Sequence, residues 1–466
     1  MKQVKIIKIS AIALVFLILQ SCFVAKEYSR PETVVETEYY RTDKLPQDSL
    51  SLASVSWKEL FTDAQLQNYI EEGLQNNIDI RIAIQQISAA EAYLKQGKAG
   101  YFPTLNGNAT YTRQELSENS QFGGQFSSLN QYQVSGGLSW EADIWGKIRS
   151  NKRAFQASYL QTVAAHKAVK SRLVANIAST YYQLLALDEQ IQITEETIKT
   201  RSNSLETTEA LKEAGNVTEV GVKQTEAQLY TAQAILIDLK NEARLLENTM
   251  SILLGSPVKE ITRGELDKQQ INTELKTGVP AQLLSNRPDV IAAEYNLVNA
   301  FELTNVARSS FYPSLTLTAT GGLQSLDVDD LFSASSLFAT ITGGLMQPII
   351  NGRKIRTQYE VSQAQQEQAR LNFKFAILNA GKEVSDAMYS YEAATDKIEV
   401  KEKENEAYSL ATDYSQELLD NGLANYLEVL TARENALNSS LDLVNAKNSQ
   451  LQAIVNLYEA LGGGWQ

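Results

Sequence analysis

The sequence predicts an α+β membrane protein built from an internal duplication. Three observations lead there. Landmark motifs recur at a fixed offset, each half carries two segments of period two, and each half contains a long run of helix-forming residues. "YFPTL" at 101–105 returns as "FYPSL" at 311–315, and Asp79 and Asp289 stand at the same offset of 210. Further on the offset is 207: "GGL" at 136–138 returns at 343–345, "KIR" at 147–149 at 354–356, Gly215 at Gly422, and Leu254-Gly255 at Leu461-Gly462. An offset held over so many landmarks marks a duplication. Its fall by three residues places a length change, and therefore a loop, between the Pro motif and GGL.

The chain opens with a targeting signal. Lys2, Lys5 and Lys8 precede an apolar run of eleven residues, Ile9 to Leu19. That run is too short to span a bilayer, which needs about 20 residues, and it suits a secretory signal peptide over 1–21. It ends in "LQSC", which resembles a lipoprotein cleavage site and uses the sole Cys of the chain, Cys22. Cys22 is the expected lipidation site, with residues 22–62 as the lipidated N-terminal segment. Removing three lysines from a net charge of −13 leaves −16. No other segment approaches 18 consecutive apolar residues, so a membrane crossing would have to be a closed β-barrel.

The first repeat is expected over 63–254. A helical stretch at 63–99 leads to the Pro motif, because Pro lacks an N–H and pushes its predecessor into extended conformations. Tyr101, Phe102 and Pro103 form this helix-to-strand switch. Strands follow at about 104–114 and 130–142, where Leu105, Gly107, Ala109 and Tyr111 alternate with Thr104, Asn106, Asn108 and Thr110. A polar loop, 117–130, joins them. Residues 147–214 hold neither Pro nor Gly; about 68 residues of helix would be about 100 Å long. "EAGNVTEV" turns the chain into a return helix at 218–254, and an irregular linker fills 255–279.

The second repeat, 280–462, copies this order. Its helical stretch is 281–309, and its switch is Phe311, Tyr312 and Pro313. Strands are expected at about 314–324 and 337–347, and helices at 353–421 and 423–461, before a tail at 463–466. Paired aromatics at each switch suit a membrane–water boundary.

Composition removes several function classes. Asp and Glu number 55 against 42 Lys and Arg, so no nucleic-acid partner is expected. One Cys and one His cannot build a structural zinc site, and no metal or cofactor is expected. The glycine pairs at 136–137, 321–322 and 343–344 lack a phosphate-loop frame. His166 reads as an ordinary helix residue and Trp57 as a packing residue. No acid–base, nucleophile or metal constellation is readable, so no enzyme is expected.

Taken together, "YSRP" (28–31), "SNRPDV" (285–290), both aromatic–Pro motifs, "WEADIWGKIR" (140–149) and the two glycine turns resemble the lipoprotein branch of the TolC-like outer-membrane efflux factors. No single motif is specific, but their order and spacing cover nearly the whole mature chain. The resemblance implies a homotrimer in which each chain gives four strands to a twelve-stranded transmembrane barrel. A long periplasmic α-helical barrel continues it. It implies an outer-membrane location, a periplasmic adaptor and an inner-membrane pump as partners, and passive export of small molecules such as drugs and toxic compounds. It also implies that the helix turns contact the adaptor, through Gly215, Asn216, Val217, Gly422, Leu423 and Ala424. Acids six and nine residues beyond the second glycine line the family's constriction. Here those positions are Glu428 and Thr431, so the second departs from the pattern. The same count from Gly215 reaches Gly221. A protein-secretion duct and a pore-free, lipid-anchored coiled-helix scaffold are the alternatives.

Overall fold

The computed structural model describes residues 24–31, 51–119, 125, 127–269 and 282–465. Cys22 and the signal peptide lie outside the described residues, as do most of the linker's second half and part of the 117–130 loop. The main elements run α1 (Ala64–Asn76), α2 (Ile78–Ala99), β1 (Thr104–Glu115), β2 (Ser128–Ala142), α3 (Lys147–Glu213), α4 (Glu219–Leu253), α5 (Pro288–Ser309), β3 (Ser314–Ser325), β4 (Leu337–Met346), α6 (Lys354–Asp420) and α7 (Tyr426–Ala460). Single turns of helix occur at Leu52–Ser54, Trp57–Leu60, Leu266–Lys268, Leu283–Asn286 and Ala334–Ser336. The chain forms two compact units.

One unit holds the strands. They make an antiparallel sheet in the order β1-β2-β3-β4. Leu105 faces Leu138, which faces Ala319, which faces Ile341. Because side chains alternate along a strand, this register gathers Leu105, Val134, Leu138, Trp140, Leu315, Leu317, Leu323, Ile341 and Leu345 on one face. The other face collects Thr104, Asn106, Gln133, Ser139, Thr316, Thr318, Thr320, Thr340 and Thr342. Every residue of β1 is exposed, and Leu105, Leu337 and Ile341 are each more than 70 % accessible. Nothing among the described residues covers this sheet.

The same unit contains the segment just after Cys22. Asn305 accepts from the Lys26 N–H at 3.1 Å and donates to its carbonyl at 2.9 Å. Arg30 grips Glu294 through two bonds of 2.6 Å, and Tyr28 meets Phe301 edge-on. The "YSRP" stretch is thus fastened along α5.

The second unit is helical. Leu60, Phe61, Leu66 and Ile70 are fully buried, and Phe61 packs edge-on against Tyr182 and Tyr458. Trp57 is buried with them. Tyr181 donates to the Asp63 carboxylate at 2.9 Å while Asp63 caps α1.

The structure corrects four sequence readings. The helical stretch at 63–99 is two helices broken at Asn77, and that at 281–309 is broken at Arg287, the position 210 residues on. Both residues adopt extended ψ, 133° and 111°. Asn77 accepts at its side-chain oxygen from the N–H groups of Asp79 and Ile80, and Pro288 forces the second break. The last return helix begins at Tyr426 rather than at 423, because Asn425 caps it by accepting from the N–H groups of Leu427 and Glu428. Helix α6 begins at Lys354 because Arg353 has φ of 65°.

Each break is sealed by a glycine. A Cβ on Gly255 (φ 68°) would lie 2.4 Å from the Asn76 carbonyl oxygen, and one on Gly462 (φ 92°) 2.4 Å from that of Asn286. Both the conformation and the contact exclude a side chain. Gly462→Ala is expected to destabilise the fold by about 2 kcal/mol or more in thermal unfolding. Gly107→Ala, with open space above its Cα, should stay within about 0.5 kcal/mol.

Candidate functional site at the helix turns

Helices α3 and α4 form one hairpin and α6 and α7 a second. Each turn begins with a glycine of positive φ, Gly215 at 80° and Gly422 at 75°. In both, the glycine N–H and the one after it donate to carbonyls of the preceding last turn, which satisfies helix-end acceptors. Asn216, Leu423 and Gly422 are exposed and Val217 and Ala424 half-buried. These residues reach the surface as turn chemistry requires, and the N–H groups of Gly215, Asn216, Gly422 and Leu423 are occupied internally.

Glu428 and Thr431 stand one helical turn apart in the first turns of α7, and both line a groove with Tyr408, Ser415 and Asn435. Glu428 is the third helical residue after the Asn425 cap, and the Asn425 amide lies 3.5 Å from its carboxylate. An acid in a first turn is favoured by the helix dipole. The Thr431 hydroxyl donates to the Leu427 carbonyl at 2.9 Å. Thr431 thus satisfies its own helix and presents no charge.

The two hairpins are cross-linked within the chain. Arg201 on α3, 2 % exposed, donates to the Gln228 carbonyl on α4 at 2.5 Å and to Glu434 on α7 at 2.7 Å. The Thr225 hydroxyl donates to that of Tyr426 at 3.1 Å, and Gln228 to the Leu430 carbonyl at 3.3 Å. Arg433 donates to the Ser204 hydroxyl and, at 2.8 Å, to the Gln416 amide oxygen. It has no carboxylate partner among the described residues, and its Nε is buried without an acceptor. Burial pulls its pKa below the usual guanidinium range, and the neighbouring Arg201 charge adds to that. Arg433 lines a polar cavity of about 870 Å³ with Asn203, Thr207, Asn216, Gln416 and Tyr426. Sequence reading missed Arg201 and Arg433. The available signal was weak: each occupies a position whose partner 207 residues away, Tyr408 or Glu226, differs from it in charge.

The aromatic switches lie in the sheet-bearing unit. The Trp140 ring N–H donates to the Tyr101 carbonyl at 3.0 Å and that of Trp145 to the Pro313 carbonyl at 2.7 Å. Trp145 stacks on Tyr312, and Phe311 meets Tyr359 edge-on. Phe102 remains 72 % exposed beside Pro103. His166 sits on α3 with its Nε2 buried and unpartnered; burial lowers its pKa.

These contacts separate two arginines that look alike in sequence. Arg201→Met is expected to destabilise the fold by about 2 kcal/mol in thermal unfolding, because it strips Glu434 of its partner. Arg433→Met should stay within about 1 kcal/mol of the parent protein, since it removes a guanidinium that no acid compensates.

The chain resembles known export proteins along nearly its whole length. It is 28 % identical over 454 residues to the solvent efflux pump outer membrane protein SrpC of Pseudomonas putida, covering 96 % of this chain and 97 % of the relative. It is 28 % identical over 458 residues to the cation efflux system protein CusC of Escherichia coli, covering 97 % and 98 %. The solved structure of CusC superposes with a TM-score of 0.84 at 26 % identity, covering 95 % of this chain and all of that one. The model of the family described as "Outer membrane efflux protein" matches residues 69–256 and 279–463. The chain therefore belongs to the outer membrane efflux protein family, with the TolC-like channel fold.

Proposed function

We propose that three copies of the chain close one barrel in the outer membrane and form the passive duct of a tripartite export system. The observation that carries this is the uncovered four-stranded sheet with two unpaired edges, β1 and β4. Its strands are 10–15 residues long, enough for a bilayer crossing of about 9–11. An open edge in hydrocarbon leaves N–H and C=O groups without partners, so neighbouring copies must supply them. The apolar face then meets lipid and the threonine-rich face the lumen.

Cys22 is the proposed lipid anchor. Arg308, in the last turn of α5, reaches the Val24 carbonyl at 3.4 Å. The turns carrying Gly215, Asn216, Val217, Gly422, Leu423 and Ala424 are the proposed contact with a periplasmic adaptor, which links the duct to an inner-membrane pump. The proposed cargo is small organic compounds, the class named for SrpC.

The spanning barrel is tested by labelling Ser127→Cys in intact cells with a membrane-impermeant maleimide; Ser127 is exposed between β1 and β2. Labelling is expected before lysis. Labelling only after lysis would support the pore-free scaffold instead. For the constriction, we propose one ring of three Glu428 carboxylates, which would favour cations at a narrow point. Glu428→Gln keeps the cap geometry and removes the charge. In planar bilayers under a salt gradient its reversal potential should fall toward zero, and block by divalent cations should weaken. Unchanged values would place Glu428 outside the constriction.

A further inference from the structure

The internal duplication shows where the next copy binds. Helices α3 and α6 correspond at both ends with an offset of 207, and so do α4 and α7. Every residue of the first hairpin therefore has a counterpart in the second without a gap. Within the chain, α3 packs against α7. Gln190 on α3 donates to Asn445 on α7 at 2.9 Å, Ser179 and Gln452 pair higher up, and Arg201 pairs with Glu434. This contact buries Gln190, Thr194, Arg201 and Thr208 on α3. On α7 it goes with a buried seven-residue repeat: Leu430, Leu437, Val444 and Leu451.

The counterpart strips are open. On α6 the matching residues are Lys397, Lys401, Tyr408 and Ser415, none of them buried. On α4 they are Lys223, Tyr230, Ile237 and Arg244, all exposed; Tyr230 is 58 % and Ile237 68 % accessible, where Leu437 and Val444 are 3 % and 1 %. A face buried once within the chain is thus presented again by its own repeat, where its residues find partners only within their own hairpin: Lys401 bonds Glu404 and Asp442, and Lys223 and Tyr230 bond Glu226. The two open strips lie on different helices, so they are heterologous surfaces, and such surfaces close into a ring when each copy docks head to tail.

We propose that α6 of one copy packs against α4 of the next in the register that α3 and α7 use internally, with an ion pair between Lys397 and Asp238 of the adjoining copy. Lys397 is the counterpart of Gln190 and Asp238 that of Asn445. Where the chain uses a neutral hydrogen bond internally, the junction between copies uses opposite charges. Neither Lys397 nor Asp238 has an ion-pair or hydrogen-bond partner among the described residues, and both are exposed. The charge difference also sorts the contacts: a lysine opposite Asn445 forgoes its carboxylate, and Asp238 opposite Gln190 forgoes its cation, so each strip prefers its own partner. This inference rests on the trimer reading and adds its register.

The test uses the full-length protein in detergent with a short thiol-specific cross-linker. The double variant Asp238→Cys with Lys397→Cys should pass from monomer to covalent trimer on denaturing gels. Each single variant should remain monomeric, and so should Gln190→Cys with Asn445→Cys, whose link stays inside one chain. If the protein is trimeric by light scattering yet the double variant does not cross-link, the register is wrong and the trimer stands. If either single variant cross-links, like faces meet like and the head-to-tail ring is wrong. If the protein is monomeric in detergent and in membranes, the trimer reading itself falls.

Discussion

A strand edge cannot be left open in hydrocarbon. Each unpaired N–H or C=O there costs several kcal/mol, and one copy of this chain offers two such edges, β1 and β4. Neither face of its sheet finds a core among the described residues either. The sheet can be stable only as part of something larger, with lipid on one side and water on the other. The helices answer a different requirement. Their outer strips are polar enough to stand in water and apolar enough to be covered by another helix, as the seven-residue repeat on α7 already is.

The duplication lets one short design meet both requirements. Strands β1 and β3 correspond with an offset of 210, the long helices with 207, and the lost residues are absorbed between the strands. A loop tolerates such a loss because few contacts depend on its length. A change inside the helices would rotate every later side chain by about 100° per residue and destroy the common register. The breaks at Asn77 and Arg287 follow the same logic. They occupy equivalent places but use different means: an amide capping its own helix in one, and a proline with a buried guanidinium in the other. Arg287 there binds Asp289 and Glu383 and donates to the Ala460 carbonyl, while Asn77 donates to the Leu253 carbonyl, the equivalent position.

Periodicity carried most of the architecture. Strands of period two and long runs without Pro or Gly are strong signals, because side-chain alternation and helix propensity act locally. The breaks were legible only in part. Pro288 announces an extended Arg287, and the duplication then points to Asn77, whose own neighbourhood reads as continuous helix. The start of α7 was misplaced because Leu423 and Ala424 are good helix formers, and only the Asn425 side chain decides where the helix begins. The cross-links of Arg201 and Arg433 were not legible, because their partners lie up to 233 positions away and depend on how two hairpins pack. Glu428 was reached through family resemblance rather than through any local pattern.

The threonine-rich face of the sheet has a kinetic meaning. Glu141 is the one charged residue among the described strand positions on that face, and Lys147 neutralises it at 3.0 Å. Hydroxyl and carboxamide groups exchange hydrogen bonds with water and with solutes at nearly equal cost. Such a wall has no deep electrostatic wells in which a passing molecule would dwell. On the proposed reading, in which this face lines the lumen, transit through this section is governed by width and diffusion.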